Sequence, residues 1–572
     1  MKKCTLLILP ILAVTLASCD LFNITPAVPD GSTIEIFSQS NNFTMALGEQ
    51  ITLYTKINNK INKGVTWSLV NNNGIVSSDT TGRLFALSVG TVEVHATSNV
   101  NASVSTFVNV TVLDTSSAEG GYYKVTNYGN YNSSKLNDAR GWNTLGSNGN
   151  QKMIVVPVKL SNGPAWTSDK LTRLEKSFFG NSSDTGWESV SSYYKKSSYN
   201  QLNITGTVTG VLNIDKTIAG LTALYDGNEA NVEYVAKAFY NSNLLTQNEL
   251  KSFDQNSDGL VDSVVFIYSN NENGEDYWAW VSWFDPSSFS GFAANTVGKP
   301  GLRNHMWASY NFLNEGYGSG AGNADAHTFI HETGHILGLD DYYDYDSTAS
   351  PLGKLDMMDY NILDHCAYSK MAMEWVKPYY IDGTKNSTTI TIRSFNETGD
   401  YVLINNDWNK HTLDEFLLLE LYTPTGLNTK DSSAAYPGNY ERGFTIPGVR
   451  MLHVDARAGN TSTGVLTDTP TSTPQNYIFA SNTPSSSEFR TPATRRDNKL
   501  VRIIQATGSK SLLSSANGRA TNNDLFVTGS TFNSSSSSYF PNGRFNEGNL
   551  VGYSIVFNSV TSLGATITIT KI

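Results

Sequence analysis

The stretch His331-Glu332-Thr333-Gly334-His335-Ile336-Leu337-Gly338-Leu339-Asp340-Asp341 constrains this chain more than any other. It reads HExxHxxGxxD. On a helix His331 and His335 fall one turn apart, so both imidazoles leave one face and can grip a single metal ion. Glu332 sits beside that face, where a carboxylate can take a proton from water held by the metal. Gly338 can adopt the left-handed conformation that ends helices. Asp341, three residues on, then offers a hard oxygen from outside the helix. Two imidazoles, one carboxylate and an open fourth position suit zinc. The plain alternative is a buried helix carrying two histidines by accident. With only 8 histidines in the chain, the full pattern is rare by chance. His327 competes with Asp341, because it lies on the same helical face. It stands two turns from His335, about 12 Å along the axis, and zinc bonds of ~2 Å do not easily span both. Asp341 is therefore expected as the third ligand, and His327 as a supporting or packing residue.

A chain of 572 residues suggests three or four domains rather than one core. The formal charge is −11 and the basic residues are scattered, which gives nucleic acid no footing as a partner. Charged residues make up only 16%, while Asn, Ser, Thr, Gly and Tyr abound, a composition suited to extracellular β-rich architecture.

Residues 1–19 read as a targeting segment, with Lys2 and Lys3 before the apolar run Leu6 to Leu16. Leu16-Ala17-Ser18-Cys19 resembles the lipobox of bacterial lipoproteins. The resemblance implies cleavage before Cys19, lipid on that cysteine, and a protein anchored to the bacterial membrane or surface and facing outward. An ordinary secretory signal with a chance cysteine is the alternative. The run is too short for a spanning helix, and no other apolar stretch is long enough. With Cys4 removed and Cys19 lipidated, Cys366 stands alone, so no internal disulfide is expected; Cys366 reads as a packed small hydrophobe.

Residues 20–32, with Pro26 and Pro29, read as a tether. Residues 33–114 show short alternating strands, as in Val92, Val94, Ala96 and in Val108, Val110, Val112. Val65-Thr66-Trp67-Ser68, Thr81-Gly82-Arg83-Leu84 and Val89-Gly90-Thr91-Val92 resemble the group 2 bacterial immunoglobulin-like domain, which implies a spacer or adhesive β-sandwich. Residues 115–150, rich in Ser, Gly, Asn and Tyr, read as a linker or pro-segment packing on the next domain.

At Met153-Ile154-Val155-Val156-Pro157-Val158 a buried strand begins an α+β domain over 151–378. Helices are expected over Leu171 to Phe179, Val190 to Lys196 and Ala230 to Asn241. Asp254, Asn256, Asp258 and Asp262 stand as DxNxDGxxD, the first part of a calcium loop. Val265 occupies the place where a complete loop of that kind has Glu, so other residues must close it, and an Asx-rich turn is the alternative. Tyr277 to Trp283 is an alternating aromatic strand, suited to pairing with an extended substrate or to core packing. The acids Asp340, Asp341, Asp344 and Asp346 crowd with Tyr342, Tyr343 and Tyr345. They read as a second cation site or as a solvated loop.

Leu355-Asp356-Met357-Met358-Asp359-Tyr360 resembles the Met-turn of metzincin peptidases, with Met358 as the turn methionine. Tyr360 would then offer its hydroxyl to the oxyanion of a tetrahedral intermediate; a core methionine beside an ordinary aromatic is the alternative. Over residues 125–572 the chain resembles the immune-inhibitor-A-type metallopeptidases, a metzincin-like family of bacterial secreted zinc proteases. The matching pieces include Ile154 to Leu160, Ser192-Tyr193-Tyr194 with Ser198-Tyr199, Asp258-Gly259 to Tyr268, and the zinc stretch. Glu415 to Glu420, Met451 to Asp455 and Phe526 to Phe532 match as well. The resemblance implies His331, His335 and Asp341 as zinc ligands and Glu332 as general base. It departs at Asp359-Tyr360, where many relatives carry small residues after the methionine. Residues 379–572 read as a C-terminal β-sandwich interrupted by a long Ser/Thr/Pro-rich loop, about 459–497.

The expected whole is multidomain: an N-terminal immunoglobulin-like sandwich, a metzincin-like α+β zinc protease domain, and a C-terminal β-sandwich. The expected function is a surface-anchored zinc endopeptidase acting on extracellular proteins or peptides, with calcium as a second cofactor. The rivals are an inactive surface adhesin and a zinc hydrolase of a non-peptide substrate. Intact Glu332 speaks against the adhesin.

Overall fold

The computed structural model describes residues 28–29, 31–38, 43–46, 50–62, 64–113, 121–128, 145–224, 230–272, 276–284, 299–314, 324–435, 442–460, 465–468, 477–478, 481–482 and 499–572. The signal segment, Cys19 and most of the Ser/Thr/Pro-rich stretch lie outside them. The chain is mostly β-sheet and divides into two compact units, Met1–Leu113 and Asp114–Ile572. Among the described residues no helix is long and apolar enough to cross a membrane.

The first unit is two sheets over one core. Ile34–Ser38, Gln50–Ile57, Arg83–Ala86 and Val76–Ser78 lie side by side in one sheet. Thr44–Ala46, Ser105–Leu113, Gly90–Ser98 and Val65–Val70 form the other. Val92, Val94 and Ala96 point inward while Thr91, Glu93 and His95 face out, because side chains alternate along a strand. Ile36, Leu53 and Leu84 from the first sheet meet Val94 and Val110 from the second. Gly82, at φ +88°, is required here: a Cβ would stand 2.7 Å from the Leu53 carbonyl oxygen and 2.8 Å from the Trp67 ring.

In the second unit a six-stranded sheet carries the helices; five strands form its main path, and the short strand Leu212–Ile214 pairs parallel with the end of Gly149–Leu160. The five are β1 (Gly149–Leu160), β2 (Leu202–Val208), β3 (Val264–Tyr268), β4 (Trp280–Trp283) and β5 (Asn304–Ser309), in the spatial order β2-β1-β3-β5-β4. All run parallel except β4, which lies antiparallel to β5. Both faces are covered, which is why Met153 to Val158 is one apolar run. Met153 and Val155 pack with α1 (Ser168–Phe179), α2 (Val190–Ser197) and the helix His327–Ile336. Ile154, Val156 and Val158 pack with α3 (Ala230–Asn241). Thr167 caps α1, and a Ser189/Ser192 capping box starts α2.

A second sheet places Tyr122–Lys124, Tyr379–Ile381, Tyr401–Ile404, Glu415–Tyr422, Gly448–Asp455 and Val501–Ile503 in that order. One face, with Leu403, Leu418 and Leu452, belongs to the same core as the helix His327–Ile336. Its other face, with Leu417, Leu419 and Met451, packs with Ile555, Ile567 and Ile569 of a four-stranded sheet. The two regions expected on either side of residue 378 therefore share a core. Tyr122–Lys124, from the expected linker or pro-segment, is an outer strand of this sheet. Lys124 is buried there, 3.6 Å from Asp400.

Candidate metal centre

The HExxH part of the motif lies in α4 (His327–Ile336), whose residues are almost all buried. It ends through paired backbone bonds, Gly338 N–H to the His335 carbonyl and Leu339 N–H to the Gly334 carbonyl, both 2.9 Å. Gly338 takes φ +100°, the left-handed residue that such an ending demands. The chain then doubles back and brings Asp341 to the histidines. Oδ1 of Asp341 lies 3.0 Å from Nε2 of His331 and 3.2 Å from Nε2 of His335. The two Nε2 atoms are 3.1 Å apart. Among the described residues this is the one group of three or more His, Cys, Asp or Glu side chains with ligand atoms within 4.8 Å of one another.

The donor chemistry of this group fits a cation. His331 Nδ1 donates to the Met357 carbonyl at 2.8 Å, and His335 Nδ1 donates to the Leu339 carbonyl at 2.9 Å. Each neutral imidazole thus carries its hydrogen on Nδ1 and turns a bare Nε2 lone pair inward. Two such lone pairs and a carboxylate oxygen then face one point and repel unless a positive charge joins them. The observed edges resemble those of tetrahedral zinc, whose ligand atoms at ~2.0–2.1 Å stand roughly 3.3 Å apart. On protein atoms alone a proton must supply the charge. Burial pulls His335 down, but Asp341, with Glu332, outweighs it and lifts the imidazole to about 10. Burial alone would raise Asp341, yet His335 and hydrogen bonds from both histidines hold its carboxyl well below the usual range.

Glu332 is 6% exposed, and its buried Oε2 has no hydrogen-bond partner. Burial raises its pKa against the pull of His335 and His331. A carboxylate left unsatisfied beside a cation-binding group is costly for folding alone.

The turn at Met357 and Met358 lies beneath the helix. Besides the Met357 carbonyl on His331, the Met358 carbonyl accepts from Tyr342 N–H at 2.8 Å. Met358 Sδ fills the space beside Gly334, where a Cβ would meet it at 2.5 Å. Asp356 caps the turn, accepting from Met358 N–H at 3.0 Å and Cys366 N–H at 2.9 Å. Arg450, which binds the Leu355 carbonyl at 2.9 Å and pairs with Glu420, ties this turn to the second sheet. Cys366 is fully buried.

The other sequence-derived residues make contacts of their own. His327 Nδ1 lies 3.2 Å from Asp325 and its ring stacks on Trp187, centroids 4.3 Å apart. Tyr360 lies under Lys354, whose Nζ stands 4.5 Å over its ring. A hydroxyl on the triad is that of Tyr345, which donates to Asp341 Oδ2, and Tyr343 reaches both Tyr345 and Asp341 beside it. Sequence reasoning did not single out Tyr345, although the crowding of tyrosines after Asp341 was the available signal. In the candidate calcium loop, Asp254 accepts from the N–H groups of Asp258 and Gly259, both at 3.0 Å. Asp258 accepts from Leu260 N–H at 2.8 Å, and Asp262 from Gln255 N–H at 3.0 Å. Its carboxylates thus brace a tight turn, and no three of them come within the spacing seen at the triad.

Compared with known proteins, the chain matches no family model and no curated protein.

Proposed function

We propose that this chain is a zinc-dependent endopeptidase of extracellular proteins, held at the bacterial surface by lipid on Cys19. One observation carries the reading: the Nε2 atoms of His331 and His335 and Oδ1 of Asp341 converge beside Glu332, whose buried Oε2 has no hydrogen-bond partner. Zinc bound by His331, His335 and Asp341 supplies Lewis acidity, which polarises a peptide carbonyl and acidifies water.

The chain's own residues do the rest. The Met357 and Leu339 carbonyls fix the imidazole tautomers, so the ligand atoms are presented without reorganisation. Glu332 accepts the proton of the attacking water and passes it to the leaving amine nitrogen. Its raised pKa suits both halves of that exchange, since a very acidic carboxylate accepts protons poorly. The strand β4 packs near α4 as the outermost described strand of its sheet, a position suited to an extended peptide. The first unit, on the resemblance carried by Trp67 and Gly82, serves as a spacer between lipid and enzyme.

The test is digestion of casein by the purified protein, with and without chelator, followed by added zinc. Hydrolysis abolished by chelation and restored by zinc is expected. Hydrolysis indifferent to chelator, or zinc bound with no peptide-bond cleavage, would overturn the reading.

A further inference from the structure

Asp341 has two carboxylate oxygens, and the structure gives them to different partners. Oδ1 faces His331 and His335 at 3.0 and 3.2 Å. Oδ2 accepts the phenolic hydrogen of Tyr345. We infer that Tyr345 is a positioning residue of the metal centre: its hydroxyl holds Asp341 as a one-oxygen ligand and so keeps the remaining coordination positions open. A carboxylate with both oxygens free can close on a metal through the pair and occupy an extra position. One whose second oxygen is held by an O–H donor presents a single oxygen in a fixed direction.

The phenol is held there by more than its own hydrogen bond. Tyr345 is 52% exposed, as a surface side chain free to swing would be, yet the loop that carries it is pinned on both sides. Tyr342 N–H is bound to the Met358 carbonyl at 2.8 Å, and the Tyr342 carbonyl accepts from Asn482 Nδ2 at 2.6 Å. Asp344, buried, closes the turn by accepting from Asp346 N–H at 3.1 Å and from the Thr348 hydroxyl at 2.6 Å. Lys499, 1% exposed, sets its Nζ 3.5 Å from Asp344 and 3.1 Å from the Asn482 carbonyl. The loop after the third ligand is therefore gripped from the second sheet. That gives the C-terminal β region a direct part in the metal centre: it fixes the backbone from which Tyr345 reaches Asp341.

This inference rests on the proposed zinc site. It is tested on the full chain with Tyr345→Phe, which removes one oxygen and leaves the ring. Zinc affinity, measured by competition with a chromophoric chelator, is expected to fall about 10–100-fold, the usual effect of losing a group that orients a ligand. Cobalt-substituted wild type is expected to show the strong visible absorption of four-coordinate cobalt, and the variant the weaker absorption of a higher coordination number. A merely structural hydroxyl would move the melting temperature and leave the cobalt spectrum alone. Wild type that takes up neither zinc nor cobalt would overturn the metal site and this inference together. Wild type that binds both, matched by Tyr345→Phe in affinity and spectrum, would overturn this inference and leave the metal site standing.

Discussion

Nε2 of His331 meets Oδ1 of Asp341 at 3.0 Å across a helix end, while His327, on the same helix, turns its Nδ1 to Asp325 at 3.2 Å. The two candidates for third ligand are thus separated by geometry. Asp341→Ala is expected to strip zinc on dialysis, because two imidazoles alone hold it weakly. His327→Ala is expected to keep zinc with at most a 10–100-fold weaker affinity. Metal analysis of the two folded variants after identical dialysis decides it. A zinc-free His327 variant beside a fully loaded Asp341 variant would end the ligand assignment.

Glu332 stands beside the ligand set without belonging to it. Glu332→Gln is isosteric and removes only the proton acceptor. Zinc content should stay at the wild-type level while casein turnover falls by at least about 100-fold, the usual worth of a general base. Turnover at the parental rate would mean that the proton goes elsewhere.

His327 also makes the fold sensitive to alkali. Burial pulls its pKa down, but Asp325 and Asp431 outweigh burial and raise it from 6.5 to about 9. The native state therefore holds a proton that the unfolded chain releases. The stabilisation is fully present below about pH 6.5 and is lost as pH rises through about 9. A shift of that size corresponds to on the order of 3 kcal/mol. Urea melts across this window should show stability falling with pH, and His327→Gln should flatten the slope. Parallel slopes for variant and wild type would remove His327 as the cause.

The triad was legible because its residues lie within one helix and one turn. The i, i+4 spacing of His331 and His335 and the glycine stop at Gly338 determine their relation with no help from the rest of the fold. Tyr345 was not legible for the opposite reason. Its loop is routed by Lys499 and Asn482, more than a hundred residues away in sequence, and nothing in Tyr342 to Asp346 names those partners. The rule that pointed to Tyr360 counts residues from Met358. The structure sets the Met357 carbonyl on His331 and the Lys354 ammonium over the Tyr360 ring. The central strand was plain from Met153 to Val158, but the order β2-β1-β3-β5-β4 depends on long-range pairing that periodicity does not encode. The shared core across residue 378 escaped notice because Leu418 and Leu452 read as ordinary strand residues, whichever layer they face.

The loop from Asp254 to Asp262 places Ser257 at φ +61° and Gly259 at φ +87°, both turned into the left-handed region. Its carboxylates brace the turn by accepting from backbone N–H groups, and calcium bound by the loop is expected to stabilise it further. Millimolar calcium should raise the melting temperature of the zinc-loaded protein, and Asp254→Ala should abolish the rise. A melting temperature that ignores calcium would leave the loop as an Asx-rich turn.

Gly338 offers the most direct test of how local backbone shape controls the site. At φ +100° it lets Leu339 N–H close on Gly334 and sends the chain back so that Asp341 faces the helix. Any other L-residue resists that conformation, by roughly 1–2 kcal/mol. Gly338→Ala must either keep the strain or relax it by unwinding the helix end, and relaxing it moves Asp341 away from His331. We expect a lower melting temperature and weaker zinc binding together, with added zinc recovering part of the melting temperature, because the metal binds the folded form. Gly338→Asn should fall between the two, since asparagine tolerates the left-handed region better than alanine. A folded Gly338→Ala protein with wild-type zinc affinity would show that Asp341 reaches the histidines by a path that does not depend on this turn.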